Sequence, residues 1–488
     1  MTHDHGSIDQ LPDDPVAMLT LADVVEGLTG TRPADAAQPI RHFVIDSREA
    51  GPGDVFVALG GESTNGHLYV ADAFARGAVA AIIEQDISIE AVTIDLRPDQ
   101  LALPIGAWQL PVCLRVAQSM IALQELAKWW RGRFKNLRVI GITGSVGKSS
   151  TKELSAAVLQ CDYVILKSEG NLNNEIGLPL TLLQVEARHQ RAVLEMGTYG
   201  LGEITRLCEL AQPVVGVVTL VGPVHLGRMG SLETIAEAKA ELIQALPADG
   251  VAILNYDDER VRAMRPKSRA RVITYGLDPA ADLWADEIVS EGLEGIHFTL
   301  HHQREALHVQ VPLLGRHSVH TSLRAAAVGL AEGMAWDHIL EGLQDRRAQL
   351  RLVAVPGPNG STILDDTYNA SPASMIAALN LLSELNGRKI AVLGDMLELG
   401  AYEDEGHRMV GLRALDVADV LVTVGTLGRT MAIEAIQNGM PRDRVRMCET
   451  NDEAIACLDT IIQPDDMILV KGSRGLHMED IVNTLGRG

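Results

Sequence analysis

Residues 137–153, LRVIGITGSVGKSSTKE, constrain this chain more than any other stretch. An apolar run of strand type, LRVIGI (137–142), enters a turn with glycines at 144 and 147, and helix-forming sequence follows. A strand buried in a sheet, with a helix packed back onto it, satisfies that order of residues. Gly144 and Gly147 let backbone N–H groups approach a polyphosphate, and the helix N-terminus adds a favourable dipole. Lys148 is expected to reach β- and γ-phosphates, and the Ser149 hydroxyl to take Mg2+. Strict Walker spacing asks for a glycine where Ile142 stands, so the loop is a variant. An ordinary Gly-rich turn is the alternative, but G-K-S after a buried strand has few other uses.

The same alternation of short apolar runs and helical stretches recurs along the chain, the pattern of α/β domains. VFVAL (55–59), AVAAII (78–83) and an amphipathic stretch from Val116 to Trp130 precede the basic, polar RGRFKN (131–136). AVLEM (192–196), VVGVVTL (214–220) and VAILN (251–255) follow the phosphate loop, as expected of a parallel sheet buried on both faces. From about Arg351, STILDD, KIAVLGDM, VLVTVG and DMILVKGS each lead into helical sequence, a second doubly wound unit. At 488 residues the chain suits three domains. The expected layout is a flexible tail over 1–18, then domains over 19–135, 136–346 and 347–488. The middle one carries the P-loop sheet and the last is Rossmann-like.

The 42 basic residues against 64 acidic ones give a net charge of −22, which argues against nucleic acid as the main partner. A local basic site for an anionic ligand remains compatible with it. Five cysteines without C-x-x-C spacing argue against a structural zinc module and a disulfide framework. The N-terminus is polar and acidic with no apolar core of a secretory signal, and no apolar run is as long as a membrane span. A cytoplasmic monomer is expected.

In parallel sheets, ligand-binding residues gather at the carboxyl ends of strands. Glu195 closes the AVLEM run, where a carboxylate can take Mg2+, and His225 follows VVGVVTL. Each taken singly reads as an exposed or capping residue; together, after consecutive strands of a phosphate-binding domain, they read as metal ligands. Ser231 is placed to N-cap LETIAEAKAELIQAL. Lys239 on that helix would by pattern alone be a solvated lysine.

Taken in order, the motifs resemble the Mur ligase family. TGSVGKSSTKE, SEGNLNNEIGLPLTLL (168–183), LEMG (194–197), the His225 loop and AEAKAEL (236–242) follow that family's sequence of motifs. DDTYNASPASM (365–375), AVLGDMLELG (391–400) and KGSRGLHMEDIV (471–482) resemble the branch that adds D-alanyl-D-alanine to a UDP-muramoyl-tripeptide. DSREAGPGDVFVALGGESTNGH (46–67) resembles its UDP-sugar-binding domain. The similarity runs from about residue 20 to the end.

What the resemblance implies can be assigned residue by residue. Thr143, Gly144, Ser145, Gly147, Lys148, Ser149 and Ser150 would form the ATP loop. Glu195 and His225 would be the metal-site carboxylate and histidine. Lys239 would be the lysine that the family carbamylates to help hold a second magnesium. Arg351 and Asp366 would close over the nucleotide. Asp46, Ser47 and Arg48, with Asn65 and His67 nearby, would bind the UDP-sugar. Asn173, Asn174, Asn369 and Ser371 would face substrate. The implied reaction is ATP-dependent amide formation through an acyl phosphate.

The sequence departs from the family at GRHSVHTS (315–322). Ser318 and Thr321 stand where adenine-contacting asparagines are usual, Leu220 replaces an asparagine before the His225 loop, and Asn65 replaces an aspartate. Ser318 cannot offer a bidentate amide. Two further readings stay open: a sister ligase with another amine or acid, and a nucleotide-binding paralogue that has drifted from catalysis.

Overall fold

The computed structural model describes residues 18–61, 64–104, 106, 108–224, 226–345 and 352–486. By internal contacts the chain divides into two compact units: Met1–Leu137 with Glu175–Gln190, and Arg138–Asn174 with Arg191–Gly488. Three sheets organise them.

The first unit holds the strands β1 (Phe43–Val44), β2 (Val55–Val57), β3 (Ala80–Ile83), β4 (Val92–Asp95) and β5 (Val112–Arg115). They pair in parallel in the order β1-β2-β3-β5-β4. The helix Leu21–Thr29 starts with a capping box between Thr20 and Asp23 and stops at Gly30, which is left-handed at φ 74°. The amphipathic stretch forms the helix Ser119–Arg133. It runs into the basic, polar segment 131–136, because Arg131 is buried and caps the turn by donating to the Phe134 and Leu137 carbonyls. The segment Glu175–Gln190 packs on this helix: Trp130 Nε1 donates to Val185 O at 3.0 Å and Gln124 Nε2 to Glu175 O at 3.1 Å.

The second unit contains two sheets. The larger is built from β6 (Arg138–Thr143), β7 (Ile165–Lys167), β8 (Arg191–Glu195), β9 (Val215–Val218), β10 (Val251–Asn255), β11 (Arg271–Gly276), β12 (Leu283–Ser290), β13 (Ile296–His302) and β14 (Glu305–Val311). Its order is β14-β13-β12-β11-β10-β9-β6-β8-β7, parallel except for antiparallel pairing of β12 with β13 and β13 with β14. The strand after β6 lies two places to one side and β9 lies on the other, so the loop leaving β6 sits at a topological switch point. Ile140, Ile142, Val193 and Val217 from the strands meet Leu154, Val158, Leu323 and Val328 from the helices Lys148–Gln160 and Ser318–Ala331 in one core.

The smaller sheet comprises β15 (Val353–Pro356), β16 (Thr362–Asp365), β17 (Lys389–Gly394), β18 (Val420–Val424), β19 (Val445–Cys448) and β20 (Met467–Lys471). Its order is β15-β16-β20-β17-β18-β19, parallel except at the β15 edge. Separate apolar clusters cover its two faces, around Leu379 and Leu393 on one and Val392 and Ile481 on the other. The expected apolar strands are all present. The antiparallel extension β12–β14 and the strands β1, β4, β5, β7, β11, β15 and β19 were not anticipated. No described helix is long and apolar enough to cross a membrane.

Candidate active site

The phosphate loop is fixed before any ligand arrives. Gly144 adopts φ 144° and presses against the turn after β9, where a Cβ would stand 1.8 Å from Thr219 Oγ1. That hydroxyl donates to Val146 O at 2.6 Å. Ser145 Oγ donates to Gly222 O (3.0 Å) and accepts from Gly222 N (2.9 Å), while Ser145 N donates to Leu220 O. These contacts with Leu220 and Gly222 use backbone atoms, so this clamp does not need the asparagine that Leu220 replaces. Ile142 is a fully buried strand residue paired with Glu195, and the loop proper begins after it. The helix Lys148–Gln160 then starts at Gly147, left-handed at φ 84°.

Lys148 Nζ donates to Gly144 O at 2.9 Å, which folds its ammonium back over the loop. Ser149 Oγ donates to Glu195 Oε2 at 2.5 Å, and Asn173 Nδ2 donates to Glu195 Oε1 at 2.8 Å. Glu195, only 2% exposed, is therefore aimed at the loop by its place at the end of β8. Asn173 is held in turn, since Gly197 N donates to its carbonyl. Asn174 follows it in the same loop, exposed.

Ser231 caps the helix Leu232–Ala245 by accepting from Thr234 N, as expected. Lys239 on this helix is 4% exposed, against the solvated reading that pattern alone gives. Burial, and secondarily the charge of Lys148, lowers its pKa from 10.5 to about 7.

The smaller sheet contributes a second wall. Asp366, just beyond β16, pairs with the buried Lys471 at 2.8 Å, and Lys471 Nζ also donates to Asn369 O at 2.8 Å. Ser371 is the N-cap of the helix Pro372–Glu384 and accepts from Ser374 N. Both walls line one cavity of about 640 Å³. It brings together the phosphate loop, Asn173, Glu195, Lys239 and Ser318 with Asp366, Asn369 and Ser371. Lys471, Arg324, Tyr368 and Arg474 line it too and were not singled out from sequence. Lysine in a KGS turn and arginine within an alanine-rich helix carry no spacing signal that separates them from solvated residues.

Ser318 and Thr321 reach the cavity, but their hydroxyls are engaged: Ser318 Oγ donates to Leu314 O, and Thr321 Oγ1 accepts from Arg324. His225 and Arg351 lie outside the described residues. Among the described residues no three His, Cys, Asp or Glu side chains come together as a metal site.

Asp46, Ser47, Arg48, Asn65 and His67 belong to the first unit. Asp46 caps the turn Ser47–Glu49 and pairs with the exposed Arg48 at 2.5 Å. Asn65 accepts from His67 N, and its Oδ1 is 2.8 Å from His67 Nδ1. His67 Nε2 accepts from Glu84 N at 3.0 Å, so the ring is neutral with its proton on Nδ1, and burial lowers its pKa.

A phosphate loop at a sheet switch point, with a carboxylate against its hydroxyl and a second α/β wall across the cavity, defines a P-loop nucleotide-dependent enzyme. Comparison narrows the class. Residues 39–128, 142–329 and 347–474 match, in that order, the Mur ligase family catalytic domain, the Mur ligase middle domain and the Mur ligase glutamate ligase domain. The UDP-N-acetylmuramoyl-tripeptide--D-alanyl-D-alanine ligase of Bacillus subtilis is 34% identical over 472 residues, 96% of this chain and 98% of that one. Its Escherichia coli namesake is 33% identical, covering 90% and 92%. A MurF crystal structure from Acinetobacter baumannii superposes with a TM-score of 0.82 at 30% identity, covering 96% of this chain and all of that one. MurF ligase of Thermotoga maritima in complex with ADP gives 0.74 at 27% identity, covering 92% and 97%. The chain belongs to the Mur ligase family, as a three-domain, ATP-binding amide ligase of peptidoglycan precursor synthesis.

Proposed function

We propose that this enzyme joins D-alanyl-D-alanine to UDP-N-acetylmuramoyl-tripeptide in the cytoplasm. The observation that carries the reading is the single cavity in which the phosphate loop faces the turn Asp366–Ser371. The tripeptide's carboxylate oxygen attacks the γ-phosphorus of ATP, and ADP leaves. The dipeptide amine then attacks the acyl carbon, phosphate departs, and the amine's proton passes to solvent. Two anions must meet in the first step, so cations have to offset their repulsion. Lys148 acts on the phosphates, with Arg351 as its partner in that role, and Asp366 orients the nucleotide.

Ser149 and Glu195 are oxygen donors in contact with each other, the hard set that Mg2+ takes alongside phosphate oxygens. They fit the first ion; His225 and Lys239 would hold the second. Magnesium there supplies positive charge against the developing phosphate charge. Lys239 fits carbamylation: its amine is buried, partly neutral near pH 7, and has no hydrogen bond or ion pair among the described residues. The neutral nitrogen adds to CO2 and loses a proton, giving a carboxylate-like group. A carbamate signal from 13C-bicarbonate that disappears in Lys239→Ala tests this, and its absence from the native protein refutes it.

The acceptor brings a free carboxylate. We assign it to Arg474, which lines the cavity, lies 5.4 Å from the Tyr368 ring centre and makes no described ion pair. Replacing the acceptor's carboxylate by an amide should cost the native enzyme about tenfold or more in kcat/KM. In Arg474→Ala the two acceptors should react alike; retained discrimination removes Arg474 from this role.

Phosphate release from Mg-ATP, with mass spectrometry of the product, tests the whole reading. A pentapeptide product that needs both substrates supports it. Product with another amine moves the enzyme to a sister reaction, and nucleotide binding without product leaves a binding protein.

A further inference from the structure

Arg324 is buried, 4% exposed, on the helix Ser318–Ala331 beside the phosphate loop. A Cβ on Gly147 would stand 3.1 Å from its Nη2. Nη2 donates to Thr321 Oγ1 at 2.8 Å, and Nη1 makes a long 3.4 Å contact with the Tyr275 hydroxyl. Nε is buried and has no hydrogen-bond partner. No carboxylate pairs with the guanidinium among the described residues. The nearby acids are engaged elsewhere: Asp257 pairs with His320, and Asp258 accepts from Val221 N, Arg260 N and Val261 N.

A buried guanidinium held by two hydroxyls and a 5.7 Å contact with the Tyr275 ring, with no opposite charge among the described residues, is costly unless an anion completes it. The cavity it lines takes a nucleotide, whose phosphates are the anions brought to Gly147. We propose that Arg324 is a second phosphate-binding cation of the ATP site, held toward the loop by Thr321. The Thr321 hydroxyl is then an orienting partner for an arginine, and the grip on ATP shifts from the base toward its phosphates.

The test is binding of Mg-ADP by titration calorimetry and of adenosine, which bears no phosphate, by ligand-observed NMR. Arg324→Met should weaken ADP by about 10- to 100-fold and leave adenosine unchanged. ADP affinity within twofold of native, or equal loss for ADP and adenosine, overturns the assignment. Should that variant fail to fold, Arg324→Lys and Thr321→Val decide. Both should bind ADP severalfold more weakly with adenosine unchanged, and native ADP affinity in both overturns the proposal. The same variants should raise the KM for ATP more than they lower kcat, which a merely structural defect would not do selectively.

Discussion

At the scale of single residues, burial decides what the titratable groups do. Lys239 has a folded pKa near 7 against 10.5 when exposed, so the unfolded chain binds more protons between those values. Its contribution to stability therefore rises with pH across that window, and the penalty of the buried ammonium is fully felt below about pH 7. Lys239→Met removes that charge at similar length. It should stabilise the metal-free protein at pH 7 by ~1–3 kcal/mol while abolishing ligation. Calorimetric melting together with the ligation assay checks both halves; a lower melting temperature would mean the ammonium has a stabilising partner. His67 has the same sign. Its pKa is lowered by burial, so stability is lost as pH falls below the ordinary value of 6.5. Protonation also breaks the bond from Glu84 N. The protection of the Glu84 amide, its exchange rate divided into the intrinsic rate at the same pH, should fall at pH 5.5 relative to pH 7.5. Lys148→Ala should cut turnover by about a hundredfold to a thousandfold, and ligation at the native rate would refute the mechanism.

At the scale of elements, the loop between β6 and its helix depends on a close approach of two turns. Gly144→Ala sets a methyl against Thr219 and should cost about 1–3 kcal/mol and weaken ADP binding. Adding Thr219→Ala removes the first atom met and should recover part of the loss; no recovery would place the defect in the φ of 144° alone. Buried parallel strands were legible because VAILN and its like read as uninterrupted apolar runs. β12–β14 were not. LWADEIVS passes from buried to exposed positions along its length, EALHVQV alternates buried with exposed only toward Val311, and their charged and histidine residues blurred the period. Ser371 was legible as a residue and is seen as a helix cap. The burial of Lys239 could not be read from a helix that also carries three glutamates, Glu233, Glu237 and Glu241, because depth depends on strands far away in sequence.

At the scale of the whole second unit, the helix Leu226–Met229 meets the turn after β17 backbone to backbone. A Cβ on Gly400, at φ 57°, would lie 2.5 Å from Gly227 Cα. Neither backbone can yield, so Gly400→Ala must part the turn from the helix that follows His225. We expect kcat to fall about ten- to a hundredfold and the melting temperature to drop by a few degrees, with ADP affinity nearly unchanged. Unaltered kcat would show that this contact is dispensable for turnover. The first unit behaves differently, because Glu175–Gln190 belongs to it while the chain on either side does not. The polypeptide thus passes between the units after Leu137, after Asn174 and again after Gln190. A protease nick at Leu137 alone would leave the N-terminal piece bound noncovalently to a strap still anchored at both ends. Grafting that piece onto another ligase as a cassette would strip Trp130 of the carbonyl it caps, so a transplant has to carry the strap as well.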